Sequence, residues 1–409
     1  MSFTICLIQA VAFLDLLAVG MVIPLVSSHV QALGGNHVYV GLMGSMYSGF
    51  QLGSGPLIGS LSDLKGRKNI LIATLLISSI SYTSMGLTSS ITVILITRAV
   101  LGLFKQTQVL TRALVPDYEK NENKQSIIYG KMAAISGAGI TVGPVIGGHL
   151  AEDHPEEAFA FIGVVVGICF VLNAGLVYLL PNTNSVRREP TRVTNISSSI
   201  LQKLVSSCKE SIIELCKIEW SKYWDVFFFK GLVGFAMAAY YSNYALYLKS
   251  TYDLTPKYIG YIISFQGVIG SVSSYFIGYI NSFYKTDTDY SQRNFHVFFI
   301  LTLSVLGLIF SFNIYMYAFF LIPLATCTAV GRLVTLEMVL KRGHGEHRGT
   351  LIGASNSVRS VSGVIAPMAA GVIGQYFGVQ RVIYMSLFAA LIGTTLSYFK
   401  YRNKGTKIE

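Results

Sequence analysis

The chain has 409 residues, of which 52% are hydrophobic and 12% are charged. Soluble domains carry about 25% charged residues, so this composition excludes a protein that lies mostly in water. The net charge of +11 does not indicate a nucleic-acid partner, because the basic residues fall in short loops between apolar runs. The composition therefore indicates an integral membrane protein that binds no nucleic acid.

Apolar runs of about 20 residues recur along the chain, and each is long enough to cross a hydrocarbon core of about 30 Å. They lack the period-two alternation of a barrel strand, which leaves helices. The first run has no basic segment before it and outlasts the core of a signal peptide, so we interpret it as a membrane helix. The predicted spans 1 to 12 are Phe3 to Val26, Val38 to Leu61, Asn69 to Leu87, Ile91 to Val115, Ile127 to Leu150, Ala158 to Leu180, Trp224 to Leu248, Tyr258 to Ile280, Phe295 to Phe312, Tyr315 to Val339, Thr350 to Ile373 and Val379 to Phe399.

The order of the spans predicts an all-α membrane protein with twelve transmembrane helices in two six-helix, pseudo-symmetric bundles. Six spans, a polar segment and six further spans form a two-fold repeat of architecture. The predicted domains are an N-terminal bundle at residues 1–180, a cytoplasmic linker at 181–223 and a C-terminal bundle at 224–409. We expect a monomer in the lipid bilayer.

The basic residues predict the orientation of the chain. With a cytoplasmic N-terminus, only Lys249, Lys257 and Arg381 of the 31 Lys and Arg residues fall in outside loops. Both termini and the linker are therefore predicted to be cytoplasmic, in the plasma membrane or an organelle membrane. The single glycosylation sequon, at Asn195, lies in the linker and is expected to be unmodified.

No motif for a metal, a cofactor or ATP is evident. The five cysteines fit neither a disulfide framework nor a zinc site, and the pair His344 and His347 is interpreted as part of a solvated basic loop. The chain has no G-x-x-x-x-G-K-[ST] run, which argues against an ATP-driven pump. The seven histidines form no cluster at one face, which argues against a membrane enzyme. We expect no metal and no cofactor.

Three local patterns stand out. The loop between spans 2 and 3 has one pattern, span 4 has Arg98 followed by Gly102, and span 5 reads GITVGPVIGG. The loop pattern consists of Gly59, Leu61, Asp63, Gly66, Arg67 and Lys68. All three resemble signatures of the major facilitator superfamily, and that of span 5 is similar to the signature of its proton-coupled antiporters. Leu64 departs from the loop signature, because the superfamily usually has Arg there.

The sequence of span 1 resembles a particular branch of the superfamily. Asp15 followed by Gly20 and Pro24 is similar to the tetracycline-exporter branch, and the sequence of span 7 resembles an animal branch of the superfamily. The whole chain is covered, although the second-half counterpart of the loop signature, GYINSFYK, lacks the Asp and the second Gly. The resemblance implies a secondary active transporter, of antiporter type, that moves a small organic solute by alternating access and uses a proton or another coupling ion. The alternative is a transport-inactive sensor or scaffold on the same fold.

The resemblance also implies a cytoplasmic latch between the two halves in the loop after span 2. Gly66 permits a tight turn, and Arg67 is expected to reach Asp117 at the end of span 4. The alternative is a basic loop that serves topology alone. The residues assigned to this latch are Gly59, Asp63, Gly66, Arg67, Lys68 and Asp117.

Small residues in span 5 predict close helix packing. Gly139, Gly143 and Gly147 recur every four residues and so share one face of the helix, where another helix can approach. Pro144 is expected to let the helix bend, and Gly148 completes the group. Ordinary packing and a specific antiporter role both fit this pattern.

Charged residues inside the spans are the main functional candidates, because a charge at the bilayer centre costs at least about 2.5 kcal/mol on insertion scales. Asp15 lies midway along span 1, Arg98 and Lys105 lie in span 4, and Arg359 lies in span 11. We expect Asp15 to pair with Lys105, because spans 1 and 4 both line the central cavity in the resembling family. Asp15 then alternates between a proton and its basic partner; a static ion pair is the alternative.

The excess of basic residues in the spans, to which Arg332 also contributes, predicts an electropositive cavity and an anionic or zwitterionic solute. Local neutralisation, for instance by Glu337, weakens that inference. Polar and aromatic side chains are expected to line the cavity, with tyrosines at helix interfaces as the alternative. These residues are Gln51, Tyr240, Tyr241, Asn243, Tyr244 and Gln266.

Overall fold

The computed structural model describes residues 3–181, 213, 220–284, 287, 289–342 and 348–405. In these residues the chain folds into fifteen α-helices, a 3-10 turn at Val379–Arg381 and no strand. The helices are Phe3–Ala32 (α1), His37–Lys65 (α2), Arg67–Leu87 (α3), Ile91–Phe104 (α4), Thr107–Tyr118 (α5), Glu122–Asp153 (α6), Ala158–Tyr178 (α7), Trp220–Ser242 (α8), Tyr244–Tyr252 (α9), Pro256–Tyr275 (α10), Ile277–Ser282 (α11), Ser291–Ile309 (α12), Ile314–Arg342 (α13), Arg348–Phe377 (α14) and Ile383–Gly405 (α15).

The predicted all-α membrane fold is confirmed, and the helices are consistent with twelve spans. Nine segments of the described chain are long and apolar enough to cross a membrane. The other three predicted spans correspond to α2, to α8 with α9, and to α10 with α11. The helix α2 is less hydropathic than these nine because it is rich in Gly and Ser, of which Gly41, Gly44 and Ser45 pack against the other half of the molecule.

Three predicted spans are interrupted in the structure. Span 4 divides between α4 and α5 at Lys105 and Gln106, span 7 between α8 and α9 at Asn243, and span 8 between α10 and α11 at Phe276. No proline lies at these breaks, so hydrophobic patterning predicts continuous helices there.

The helix after the predicted linker begins at Trp220, four residues before the predicted start of the C-terminal bundle. Most of the linker, with the sequon at Asn195, lies outside the described residues. The same is true of His344, His347, Cys208 and Cys216.

The two halves meet mainly through two pairs of helices, α2 with α14 and α6 with α10, and α1 also contacts α9 and α10. A methyl group on Gly41 of α2 would lie 2.3 Å from the carbonyl oxygen of Pro367 in α14. In the same way a methyl group on Gly260 of α10 would lie 2.2 Å from the carbonyl oxygen of Pro144 in α6. The helix backbones are therefore in direct contact at this end of the bundle, which carries the α1–α2 turn.

The helix pairs separate toward the opposite end, which carries the α2–α3 turn. A methyl group on Gly49 would still find Val364 at 3.7 Å, whereas one on Gly55 or Gly59 would have no atom within 4 Å. Along α10, Gly267 packs against Thr141, but Gly270 has open space beside it. The two halves are thus closed at one end and open at the other.

Polar contacts join the halves at the closed end. Lys257 of α10 forms a salt bridge of 3.3 Å with Glu152 of α6, and Tyr261 hydrogen-bonds His149 at 3.0 Å. The hydrogen bond and charge of Glu152 raise the pKa of Lys257. On the other helix pair, Ser45 donates to the carbonyl oxygen of Val364 at 2.6 Å.

Candidate functional site

A buried ion pair lies at the centre of the N-terminal half. The ammonium nitrogen of Lys105 lies 3.0 Å from Oδ1 and 3.2 Å from Oδ2 of Asp15, and the Asp15 side chain is fully buried. Gln108 donates to Oδ2 of Asp15 at 3.2 Å, so both carboxylate oxygens accept hydrogen bonds. Charges at such a site must be paired, because the low dielectric makes an isolated charge costly. The structure therefore places the two sequence-predicted residues in one self-neutralising pair.

The break between α4 and α5 positions Lys105. Lys105 and Gln106 leave the helical conformation, which frees the carbonyl groups at the end of α4 from intrahelical bonding. The hydroxyl of Ser54 in α2 donates to the carbonyl oxygen of Gly102 at 3.0 Å, and Gln106 donates to that hydroxyl at 2.8 Å. Side chains from α2 therefore replace part of the missing helical hydrogen bonding.

A second layer of contacts holds the pair in place. The Gln108 amide also contacts the Ala12 carbonyl at 3.3 Å, and Ser136 of α6 lies 3.4 Å from both that carbonyl and Oε1 of Gln108. The ammonium group of Lys105 lies 5.7 Å from the centre of the Phe170 ring, in the range of a cation–π contact. Sequence reasoning missed Gln108 and Ser136, because neither belongs to a motif or carries a charge.

Arg98 is half-buried, about two turns before the break between α4 and α5. Its Nε atom is buried and has no hydrogen-bond partner among the residues that the structure describes. Arg98 and Lys105 both interact electrostatically with the buried hydroxyl of Tyr82. The structure thus places Arg98 on the edge of the same polar cluster.

Charges of the C-terminal half gather around Tyr241. Arg332 of α13 and Arg359 of α14 both interact electrostatically with Tyr241, and Arg359 also interacts with Lys230 of α8. Gln266 of α10 donates to the Tyr241 hydroxyl at 2.9 Å. Sequence reasoning missed Lys230, although its charge within span 7 is the same signal that identified Arg359.

Several other predicted cavity residues lie elsewhere. Tyr240 and Tyr244 are buried in the core of the C-terminal half, and the Tyr240 hydroxyl contacts that of Tyr317 at 3.0 Å. Asn243 is buried at the α8–α9 break, where it donates to Ser242. These three residues line a small cavity within the C-terminal half, and the expectation that they contact the solute stays a prediction.

Two further expectations concern Glu337 and Gln51. Glu337 pairs with Arg293 at 3.8 Å, and the structure gives it no contact with Arg332. Gln51 is partly buried and donates to the Tyr47 hydroxyl at 3.2 Å, four residues earlier on the same helix.

The α2–α3 turn has the predicted local contacts. Gly66 has φ +93° and ψ 127°, a conformation that favours glycine. Arg67 bonds Asp117 at 2.9 Å, Asp63 at 3.0 Å and the carbonyl of Ala113 at 2.6 Å, and Lys68 donates to the carbonyl of Leu180. Among the residues that the structure describes, the contacts of Arg67 all lie within the N-terminal half, so Arg67 does not join the two halves in this conformation.

The span 5 glycines fit against α1. Methyl groups on Gly139, Gly143 and Gly147 would lie 2.5, 2.5 and 2.2 Å from carbonyl oxygens of α1. Gly148 faces the other way, and a methyl group there would lie 2.7 Å from the carbonyl oxygen of Pro256 in α10. The helix continues through Pro144, whose own carbonyl meets Gly260. This helix therefore packs closely against both halves.

Two helical bundles that meet at one end and bury an ion pair within membrane-spanning helices define a membrane transporter and not an enzyme. The sequence model of the Major Facilitator Superfamily matches residues 8–335 and, in an overlapping second match, residues 226–408. The chain belongs to this superfamily.

Two of the curated relatives are distantly similar resistance proteins. The chain is 23% identical over 390 residues to the quinolone resistance protein NorA of Staphylococcus aureus, with 94% of this chain and 93% of the relative covered. It is 25% identical over 210 residues to the class E tetracycline resistance protein of Escherichia coli, with 50% of this chain and 52% of the relative covered.

A solved structure has the same fold. A bacterial homologue of the human lysosomal transporter Spinster, in an inward-facing and unoccupied conformation, superposes with a TM-score of 0.80. Its sequence identity is 12%, and the superposition covers 98% of this chain and 97% of the homologue. At this identity the likeness shows the fold alone.

Proposed function

We propose that the protein is a proton-coupled secondary active transporter of a small organic solute, working by alternating access. The Asp15–Lys105 pair carries this proposal. Its charges cancel while Asp15 is ionised, and protonation of Asp15 releases Lys105 and leaves one net positive charge in the membrane. A proton bound at Asp15 therefore changes both the hydrogen bonding and the charge between α1 and α4.

The position of the pair links that change to helix movement. Lys105 lies in the non-helical break between α4 and α5, and Asp15 lies on α1, which packs along the span 5 glycines of α6. The helix α6 in turn contacts α10 of the other half. Weakening the pair therefore acts on α1, which packs against α6, and α6 belongs to one of the two main helix pairs that join the halves.

The conformation supports an inward-facing state under the predicted topology. The open end carries the α2–α3 turn, and the positive-inside distribution places that turn and both termini in the cytoplasm. In the outward-facing state the α2–α3 turn acts as the latch, with Arg67 and Asp117 close to the other half. The membrane is the plasma membrane or that of an organelle, and the transporter acts as a monomer.

The solute is a small organic molecule that is anionic or zwitterionic, because embedded basic residues outnumber the acidic ones. Antiport is the proposed mode of transport, supported by the similarity of residues 139–148 to the signature of proton-coupled antiporters. The sequence of residues 224–248 resembles major facilitator superfamily domain-containing protein 9 of animals, which narrows the branch without naming a solute.

The test is proton movement in proteoliposomes that contain the full-length protein and the pH-sensitive dye pyranine. A panel of anionic, zwitterionic and cationic solutes, including a quinolone and a tetracycline, is added in turn. We expect at least one solute to move protons with the wild type and none to do so with Asp15→Asn. The matched control is Asp253→Asn, because Asp253 is exposed and has φ +52°, a conformation that Asn adopts readily.

A second candidate is a transport-inactive sensor or scaffold, favoured by the observation that Arg67, among the described residues, contacts partners of the N-terminal half alone. Solute-dependent proton movement excludes it. Solute binding without any flux in the same vesicles would favour the sensor and reject the transporter.

A further inference from the structure

Three cationic side chains of the C-terminal half converge from three helices. Arg359 of α14 interacts electrostatically with Lys230 of α8 and with Arg332 of α13. A methyl group on Gly234, one turn after Lys230, would lie 3.8 Å from the Cα atom of Arg359, so α8 and α14 are in contact here. Repulsion between these charges raises the energy of the empty site.

No carboxylate compensates these cations among the residues that the structure describes. The two acidic residues nearest in sequence are engaged elsewhere: Asp225 bonds Lys400, and Glu337 pairs with Arg293. The polar contacts that the cations do make are with neutral groups. Lys230 donates to the Ser355 hydroxyl, and Arg332 donates to the Thr328 carbonyl oxygen.

The cluster faces the gap between the halves. Gly363 of α14 lies against Ser48 of α2, where a methyl group would meet the Ser48 hydroxyl at 3.2 Å. Arg359 lies four residues before Gly363 and therefore on the same face of α14, one turn nearer the open end. The Arg359 and Arg332 side chains are exposed, as is 52% of Tyr241.

The N-terminal half offers a contrast. There the Lys105 ammonium group is already neutralised by Asp15, and both carboxylate oxygens are occupied. An anion entering from the open end finds a balanced pair on one side and, on the other, three cations that have no carboxylate partner in the described part of the chain. The two halves therefore differ in the charge that they present to a solute.

We propose that Lys230, Arg332 and Arg359 form the solute site and that its ligand is an aromatic carboxylate. The planar guanidinium groups match a carboxylate in two-point hydrogen bonding, and the exposed ring of Tyr241 is placed to pack against an aromatic body. The proposal rests on the proposed transport function and adds a division of labour: the C-terminal half holds the cargo, and the N-terminal half holds the proton.

The test measures equilibrium binding of 5-carboxyfluorescein, an aromatic carboxylate, by fluorescence anisotropy. The full-length protein is held in nanodiscs of neutral phosphatidylcholine, and empty nanodiscs give the background. We expect saturable binding to the wild type and a loss of about tenfold or more in affinity with Arg359→Gln and with Lys230→Gln, because each removes a charge-assisted contact. Ethidium, an aromatic cation, should not compete.

Two controls separate charge from misfolding. Lys249→Gln removes an exposed positive charge elsewhere in the same half and should bind the dye as the wild type does. Arg359→Lys keeps the charge but not the two-point hydrogen bonding, so its affinity should lie between that of the wild type and that of Arg359→Gln. All variants are compared by gel filtration and thermal unfolding.

The proposal is overturned if the wild type shows no saturable binding, if both neutral variants bind as tightly as the wild type, or if ethidium displaces the dye. Binding at equilibrium needs no proton gradient. Dye binding without proton movement would therefore reject the proposed transport function and leave the anion site valid. Proton movement without dye binding would reject the anion site and leave the transport function valid.

Discussion

The ammonium nitrogen of Lys105 lies 3.0 Å from Oδ1 of Asp15, with the two residues 90 positions apart in the chain and both side chains buried. Removing one member leaves an isolated charge, and this costs about 3–5 kcal/mol for a buried pair. We therefore expect Lys105→Met to lower the thermal unfolding temperature of the purified protein strongly.

The double variant Asp15→Asn with Lys105→Met should regain much of that stability, because it leaves no buried charge. Thermal unfolding in detergent measures both effects, with Asp253→Asn as the control for an exposed carboxylate. Equal losses in the single and double variants would show that the electrostatic pairing is not what stabilises α1 against α4.

The packing of α6 on α1 predicts opposite outcomes for two glycines of one helix. A methyl group at Gly143 would lie 2.5 Å from the carbonyl oxygen of Leu17, whereas one at Gly130 would have no atom within 4 Å. Gly143→Ala should therefore destabilise the protein by about 1–3 kcal/mol through overpacking.

Gly130→Ala should be neutral or stabilise by up to about 1 kcal/mol, since Ala favours the helix. Unfolding temperatures of the two variants, measured side by side, test the close approach. A loss at Gly130 as large as that at Gly143 would contradict it.

The separation of the halves predicts that cysteines placed along α2 react faster with a water-soluble label toward the open end. In a background with the five native cysteines replaced by alanine, Gly55→Cys should react readily with a water-soluble maleimide in detergent. Ser45→Cys should react slowly, because Ser45 is buried and bonded to Val364. Similar rates at the two positions would contradict the open and closed ends.

The backbone at the α2–α3 turn predicts a requirement for glycine. Gly66 has φ +93° and ψ 127°, where a side chain costs about 1–3 kcal/mol. Gly66→Ala should lower the unfolding temperature, and Gly53→Ala, in a helical position with open space, should not. Identical behaviour of the two variants would show that the turn tolerates a Cβ atom.

The closed end contains a titratable group, His37, which packs against α14 through Gly374 and is close to Gln31. Burial lowers the pKa of His37 in the folded protein. The unfolded chain therefore binds a proton more readily, so this contribution to stability is present above the ordinary histidine pKa of about 6.5 and is lost as pH falls below it.

We expect the unfolding temperature to fall between pH 7.5 and pH 5.0, with a smaller fall in His37→Gln. Gln at this position cannot titrate, so the difference between the wild type and His37→Gln across the pH range measures the contribution of His37. An equal fall in the two proteins would assign the pH effect to other groups.

Much of the fold follows from the sequence because the bilayer imposes a simple rule on it. Twenty-residue apolar runs have to be helices, and basic loops favour one side of the membrane. The break at Lys105 does not follow, since it depends on the side chain of Ser54, which bonds the interrupted backbone from another helix. Hydrophobic periodicity contains no information about such partners.

The sequence by itself determined the membrane class, the superfamily resemblance and the charged residues that need a partner, because a charge within an apolar run is costly wherever the run packs. Only the tertiary structure decided which charges are neutralised. It brings Asp15 to Lys105 across 90 residues, and it gathers Lys230, Arg332 and Arg359 without an acidic partner among the described residues. Electrostatic energy depends on distance in space, and helix packing alone sets that distance.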